Sequence, residues 1–416
     1  SNVANLHFTQ VTDNASVVGD IRFAYATLSD NAQAWAYSPT GGANAGDVWF
    51  NANSSSYLAS WTEGSYEYST AIHEIGHALG LKHPFDADWL TTTVLPAELD
   101  TTSYTIMSYS AYPGDVQSYL TYEPTTPMVL DVAAIQALYG ANNSYNASNT
   151  TYNFTAGGRY NMTIWDGGGT DTIAYASSSA GVIDLRSGIE GGSDLGQTVY
   201  AVTAGGSSYQ AIHNVWIAYG AIIENATGGS GSDILIGNEA DNILNGGAGD
   251  DVFTGGAGND TFIIDRASEI NSVMEAADEG VDTVVLAFSG ANVAIDLSAL
   301  PNVENLQVSG DGNFTLVGNA EDNTLLGNTA ANTFYGGAGN DTLDGKGGAD
   351  TLVGGLGDDL YDIDNIQDIL VEAADEGNDT VRLNIATAGL NYTLAEHVEN
   401  AVVTSKGTIN LIGNSE

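Results

Sequence analysis

"GGAGDDVFTGGAGNDTFI", residues 246–263, is one nine-residue unit written twice. Two more units, "GGSGSDILI" and "GNEADNILN", precede it at residues 228 and 237. A second block runs from residue 318 on the same beat: "GNAEDNTLL", "GNTAANTFY", "GGAGNDTLD", "GKGGADTLV" and "GGLGDDLYD". A longer repeat encloses both blocks, because "MEAADEGVDTV" at 274 returns as "VEAADEGNDTV" at 371, and "VENLQV" at 303 as "VENAVV" at 398. Repetition at a fixed short period marks a solenoid, and G-G-x-G-x-D-x-U-x is the calcium-binding parallel β-helix repeat. Glycines allow left-handed backbone in a tight turn, the sixth-position acid points into that turn, and the apolar eighth residue points inward from a short strand. Stacking then sets Asp233, Asp251, Asp260, Asp341, Asp350 and Asp359 in rows. Such rows repel themselves unless hard cations lie between the turns. A flexible glycine-rich linker would keep neither the phase nor the regular Ile, Leu or Phe.

The whole chain is built to meet cations. It has 416 residues, 52 Asp and Glu against 8 Lys and Arg, and a net charge of -44. Nucleic acid phosphates and anionic membrane surfaces would repel it, so neither is expected as a partner. It is nevertheless 43% hydrophobic, with 21 Tyr and 6 Trp, which is too apolar for a disordered acidic chain. There is no cysteine, so disulfides, thiolate metal sites and a Cys nucleophile are excluded. No apolar run approaches the roughly 18 residues needed to span a bilayer.

Residues 1–141 follow a different pattern and read as α+β. "DIRFAYATL" and "DVWFNANS" look like strands, "STAIHEIGHALGL" carries helical apolar spacing with Ser69 or Thr70 as its cap, and "DVAAIQALYG" repeats the logic with Asp131 as cap and Gly140 as terminator. Tyr, Asn, Ser and Thr crowd the stretch that follows, so 142–165 reads as a linker before a repeat domain over 166–416. Within "HEIGHALGLKH", residues 73–83, stand three of the six histidines. His73 and His77 lie one turn apart on a helix face, suited to grip one zinc, with Glu74 beside them. Were the helix to run on, His83 would lie about 9 Å beyond His77 along the axis, too far to share an ion. Gly80 is the residue that lets the helix stop and the chain turn back. His83 then completes three nitrogens with an open fourth position, the arrangement of a catalytic zinc. A pair of buried core histidines explains His-x-x-x-His alone, but not the full His-Glu-x-x-His-x-x-Gly-x-x-His pattern. That pattern predicts a downstream methionine turn, and "TIMSYS" supplies Met107 as the floor beneath the metal, with Tyr109 two residues on.

Through "HEIGHALGLKHP", "TIMSYS", "DVAAIQALYGAN", "IWDGGGTDTI", "IENATGGSGSD" and the nonapeptides, the chain resembles the serralysins, secreted bacterial zinc endopeptidases of the metzincin group. The resemblance spans nearly the whole chain. It implies an α+β metzincin-like catalytic domain followed by an all-β parallel β-roll of RTX type. It implies one catalytic Zn2+ and several structural Ca2+, polypeptide substrates, a secreted monomer, and type I secretion machinery as a partner. Tyr109 would be an additional zinc ligand that swings away to bond the reacting carbonyl. "IWDGGGTDTI" resembles the first calcium turn of the roll, which implicates Asp166, Gly168 and Asp171, with Glu224 as partner. "DVWFNANS" resembles the edge strand that pairs with extended substrate, which implicates Trp49, Phe50 and Asn51. The family has a long helix and a first strand before "SNVANLHFTQV", a complete third repeat block and a C-terminal export signal, so the chain is expected to be a fragment cut at both ends.

The implied chemistry is metal-assisted peptide hydrolysis with Glu74 as general base. Two rivals stand against it. A non-enzymatic calcium-dependent surface or matrix protein would need no general base beside its metal ligands. A repeat-bearing lipase would need Gly-x-Ser-x-Gly, which does not occur in the chain.

Overall fold

The computed structural model describes residues 2–12, 18–28, 32–40, 42–54, 61–87, 92–387, 389–405 and 407–415. They form two compact units, one of residues 1–177 with 181–223 and one of residues 178–180 with 224–416. A mixed region with few helices is followed by a parallel β-solenoid, so the expected fold class holds.

In the first unit, strands β1 (Arg22–Ala26), β2 (Ala34–Ala36) and β3 (Asp47–Asn51) form a sheet in the order β1-β3-β2. β3 pairs in parallel with β1 and antiparallel with β2. Trp49, Phe50 and Asn51, expected on an edge strand, lie instead on the central strand, with β1 on one side and β2 on the other. Among the described residues two helices accompany the sheet, α1 (Tyr66–Ala78) and α2 (Val129–Tyr139). Ala71 and Ala78 of α1 pack on Val48 and Phe50 of β3, so small residues on one helix face set it close against the strand.

Both helix starts differ from expectation. α1 begins at Ser65, whose extended backbone and Oγ accepting from Tyr68 N–H at 3.3 Å make it the cap. Ser69 and Thr70 lie inside the helix, where Thr70 Oγ donates back to the Tyr66 carbonyl at 2.8 Å. Asp131 is the third helical residue of α2, and Met128 holds the cap position. Its carboxylate accepts from the amides of Met128 and Ile106, both at 2.8 Å, and from Thr105 Oγ at 2.5 Å. One buried acid thus fastens the start of α2 to the loop that carries Met107.

In the second unit short parallel strands stack in register. Asn225–Thr227, Ile243–Asn245 and Thr261–Ile264 begin one row, and Ile234–Ile236 and Val252–Thr254 stand in another. Two nonapeptides make one coil, so a residue meets its equivalent 18 positions along the chain. The eighth residue of every unit faces inward: Leu235, Leu244, Phe253, Phe262, Leu325, Phe334, Leu343, Leu352 and Tyr361 are all 0% exposed. Their column is the core of the coil.

Candidate metal centres

Helix α1 presents His73 and His77 one turn apart, and the chain reverses just beyond them. Gly80 takes φ +102°, and Leu81 N–H returns to the Gly76 carbonyl at 2.9 Å. Only a residue without a Cβ adopts that backbone freely. The reversal delivers His83, and the ligand nitrogens of the three rings lie within 4.8 Å of one another. Every ring is held from behind. Nδ1 of His73 faces the Ile106 carbonyl at 2.6 Å, Nδ1 of His77 the Leu81 carbonyl at 2.8 Å, and Nδ1 of His83 the Asp86 carboxylate at 2.7 Å. Those oxygens accept, so each Nδ1 carries a proton and each Nε2 turns inward as the ligand atom. Nε2 of His77 and Nε2 of His83 stand 3.0 Å apart. Two lone pairs that close repel each other unless a cation lies between them, and three imidazole nitrogens suit zinc. The residues therefore fit a zinc ion.

Electrostatics agree with the geometry. Burial drives the His73 ring down to about 3 and lowers His77 as well, so both stay neutral and available as ligands. Burial pushes the Glu74 carboxyl up to about 7, against a hydrogen bond from the Ala36 backbone. That is the range in which a carboxylate both accepts and returns a proton near neutral pH. The Ala36 contact follows from strand parity. Tyr37 N–H and Asn51 N–H bond across the β2/β3 pair, so Ala34 and Ala36 turn their backbone groups outward, and Ala36 meets Glu74. Tyr109 is half exposed and its hydroxyl donates to His83 Nε2 at 2.8 Å. Met107 is buried among Tyr104, Ile106, Met128, Val129 and Trp216. A Cβ on Gly76 would come within 2.7 Å of Met107 Sδ, so a residue that the sequence pattern leaves unspecified makes room for the methionine.

The sixth-position aspartates form ladders. Asp251 Oδ1 accepts from Asp233 N–H, Asp260 Oδ1 from Asn242 N–H, Asp350 Oδ1 from Asn332 N–H and Asp359 Oδ1 from Asp341 N–H, all at 2.7 Å. Asp341 Oδ1 does the same for Asn323 N–H at 2.8 Å. Oδ2 of Asp251, Asp260, Asp341, Asp350 and Asp359 is buried without a hydrogen-bond partner. A buried acceptor left bare is costly, and a hard cation relieves it, so these residues fit calcium. Asp233 is also tied to its own turn, accepting from Gly229 N–H at 2.9 Å. Where the sixth residue is Asn, its amide supplies the missing donor: Asn242 Nδ2 reaches the Glu224 carbonyl at 2.9 Å, and Asn323 Nδ2 reaches Asn319 Oδ1 at 2.9 Å. Asp166 and Gly168 share one turn, joined by a 2.9 Å bond from Gly168 N–H, while Tyr152 donates to Asp166 at 2.6 Å and Asp171 accepts from Thr150 N–H at 2.7 Å. Glu224 lies in the second unit.

Sequence reasoning missed Asp86, which follows His83 in no periodic pattern. It also missed the connector acids that continue the ladders, Glu269, Asp282, Asp368 and Asp379, each of which accepts the amide of a nonapeptide aspartate. The signal for two of them was present, since "VDTV" and "NDTV" recur in the long repeat.

Comparison with known proteins adds independent support. Residues 1–105 match the matrixin family model, and residues 227–262, 309–343 and 326–361 match the RTX calcium-binding nonapeptide repeat. The chain is 34% identical over 260 residues to a serralysin of Photorhabdus laumondii, covering 58% of this chain and 51% of the relative. It is 33% identical over 262 residues to metalloprotease AprA of Pseudomonas entomophila, covering 57% and 50%, and 36% identical over 260 residues to serralysin C of Dickeya chrysanthemi, also covering 57% and 50%. The chain spans about half the length of these curated relatives. The resemblance drawn from the motifs is borne out: a matrixin region, RTX repeats and serralysin relatives support a serralysin-type metalloprotease.

Proposed function

We propose that this chain, a matrixin region joined to RTX repeats, is a zinc-dependent endopeptidase that cleaves polypeptides outside the cell and is stabilised by calcium. The observation that carries the reading is the convergence of three Nε2 lone pairs from His73, His77 and His83, with every Nδ1 committed behind them. Zinc, when bound there, supplies the Lewis acidity that lets water attack an amide near neutral pH. Glu74 takes the proton of the attacking water and passes it to the leaving amine. Tyr109, half exposed at the mouth of the site, donates its hydroxyl to the carbonyl oxygen as negative charge develops there. An extended peptide is held by strand addition along the outer edge of β2, the side on which Ala36 meets Glu74.

By chemistry we divide the chain into a zinc part, 1–141, a joining stretch, 142–165, and a calcium part, 166–416; the packing units follow other boundaries. Calcium ions take the bare Oδ2 atoms of the ladders, and the Asp166–Asp171 turn in one unit and Glu224 in the other are further calcium ligands. Among the described residues no helix is long and apolar enough to cross a membrane. The protein acts as a secreted monomer, exported by type I machinery, with polypeptides as its partners. A purely structural, non-enzymatic role leaves the buried Glu74 without a purpose. The test joins metal analysis to cleavage of casein by the full chain and by Glu74→Gln. We expect one zinc per chain in both, cleavage in the parent alone, and loss of cleavage on chelation. Undiminished turnover in Glu74→Gln would remove Glu74 from the mechanism, and absence of both zinc and cleavage in the parent would sink the proposal.

A further inference from the structure

Two clusters of carboxyls in the second unit draw on residues outside the nonapeptides. Asp260, Glu275 and Asp282 bring their oxygens within 4.8 Å of one another, and so do Asp359, Glu372 and Asp379. Each cluster joins the last aspartate of a nonapeptide block to two acids of the connector that follows, "MEAADEGVDTV" or "VEAADEGNDTV". The connectors differ in length, since Asp260 and Asp282 are 22 residues apart and Asp359 and Asp379 are 20. The same three-acid arrangement forms across both.

Several observations point to a ligand between these acids. Asp260 and Asp359 are each 1% exposed, and their Oδ2 atoms, turned into the clusters, have no hydrogen-bond partner. Their Oδ1 atoms are already taken by backbone amides of the preceding coil. Glu275 Oε2 is likewise buried and unpaired, although Oε1 accepts from Gly255 N–H at 2.8 Å. Glycine clears the space in both places. A Cβ on Gly255 would stand 2.1 Å from Glu275 Oε1 and 2.3 Å from Asp260 Oδ2; one on Gly354 would stand 2.1 Å from Asp359 Oδ2 and 2.7 Å from Glu372 Oε1. Burial, aided by the neighbouring acids, pushes Glu275 and Glu372 up to about 8, the mark of acids facing nothing positive.

We infer that these clusters are two further divalent-cation sites, one closing each nonapeptide block, and that each holds calcium through three carboxylates. The inference rests on the calcium reading of the repeats and extends it to residues outside the nonapeptide. A nonapeptide aspartate ordinarily finds the other half of its oxygen cage in the next turn of the same kind. At the end of a block there is no such turn, and the connector glutamate takes its place. Three carboxylates supply at least three of the roughly 6–8 oxygens that calcium takes.

The test uses the full chain, with bound calcium counted by equilibrium dialysis and thermal melts recorded in calcium and in chelator. Glu275→Gln with Glu372→Gln is compared with Asp251→Asn, which alters a ladder away from both clusters. We expect the double variant to bind two fewer ions than the parent. Its melting temperature should be lower than the parent's in calcium but equal or higher in chelator, because the amides no longer repel the adjacent acids. An unchanged ion count in the double variant, with a reduced count in Asp251→Asn, overturns this inference alone. A parent that binds no calcium overturns the calcium reading of the repeats with it. Equal destabilisation in both media with no ion lost assigns the glutamates a packing role and also overturns the inference. Glu275→Asp keeps the charge but shortens the arm, and covers a failure of the Gln variants to fold: unchanged calcium affinity there counts against the site.

Discussion

At the residue scale the choice of ring nitrogen decides what His83 can do. Its Nδ1 donates to Asp86, and that bond turns Nε2, which meets the Tyr109 hydroxyl, toward the position of a metal. Asp86→Ala should lower zinc affinity by about 10–100-fold while leaving α1 intact, which a chelator competition titration alongside circular dichroism would check. Unchanged affinity would show that His83 is oriented by other contacts. Tyr109 acts later, on a charge that exists only in the transition state. Tyr109→Phe should therefore lower kcat more than it raises KM, and a pure KM effect would remove it from oxyanion stabilisation. The histidines and Glu74 were legible in the sequence because helical spacing fixes their relation. Asp86 was not, because its relation to His83 depends on a loop whose course no spacing encodes.

At the scale of the element, each coil of the roll chooses between an ion and an amide. Asn323, 1% exposed, satisfies itself: Oδ1 accepts from Asn319 N–H at 2.7 Å and Nδ2 donates to Asn319 Oδ1 at 2.9 Å. Asn323→Asp removes the donor and buries a charge in its place, which should cost about 1–3 kcal/mol in chelator. Calcium should recover part of that loss if the new carboxylate can share an ion. Paired urea melts in chelator and in calcium would read both effects, and an unchanged midpoint in chelator would contradict the account. The nonapeptide beat made the strands and their inward residues legible, but the coupling of residues 18 apart emerges only when two strands close one coil. β2 was missed for a simpler reason. Three residues, "AWA", are too short to show alternation, and the edge role of "DVWFN" rested on the family resemblance alone. Ser69 and Thr70 similarly drew attention from Ser65, since all are residues that cap helices.

For the whole molecule, the acid content makes protons and calcium alternatives. Burial, the first cause in each case, pushes Asp260, Asp350 and Asp359 up to about 7 and Asp341 to about 6, from an ordinary aspartate value of 3.8. A carboxyl whose folded value lies above its unfolded value takes up a proton on folding, so protonation favours the folded form. The stability it contributes is complete below about pH 4 and is lost as pH rises through about 6 to 8. In chelator, strand signal and the urea midpoint should therefore grow as pH falls from about 8 to about 5. In excess calcium the trend should flatten or reverse, because protons and calcium compete for the same oxygens. A midpoint independent of pH in chelator would show that the ladders are not charged as described.

The ladders also have a direction. Asp341 accepts the amide of Asn323, Asp359 that of Asp341, Asp379 that of Asp359, and Glu399 that of Asp379. Each carboxylate finishes the coil before its own. A chain synthesised from its amino end therefore always trails one coil whose amides wait for residues not yet made, and order follows synthesis one coil behind.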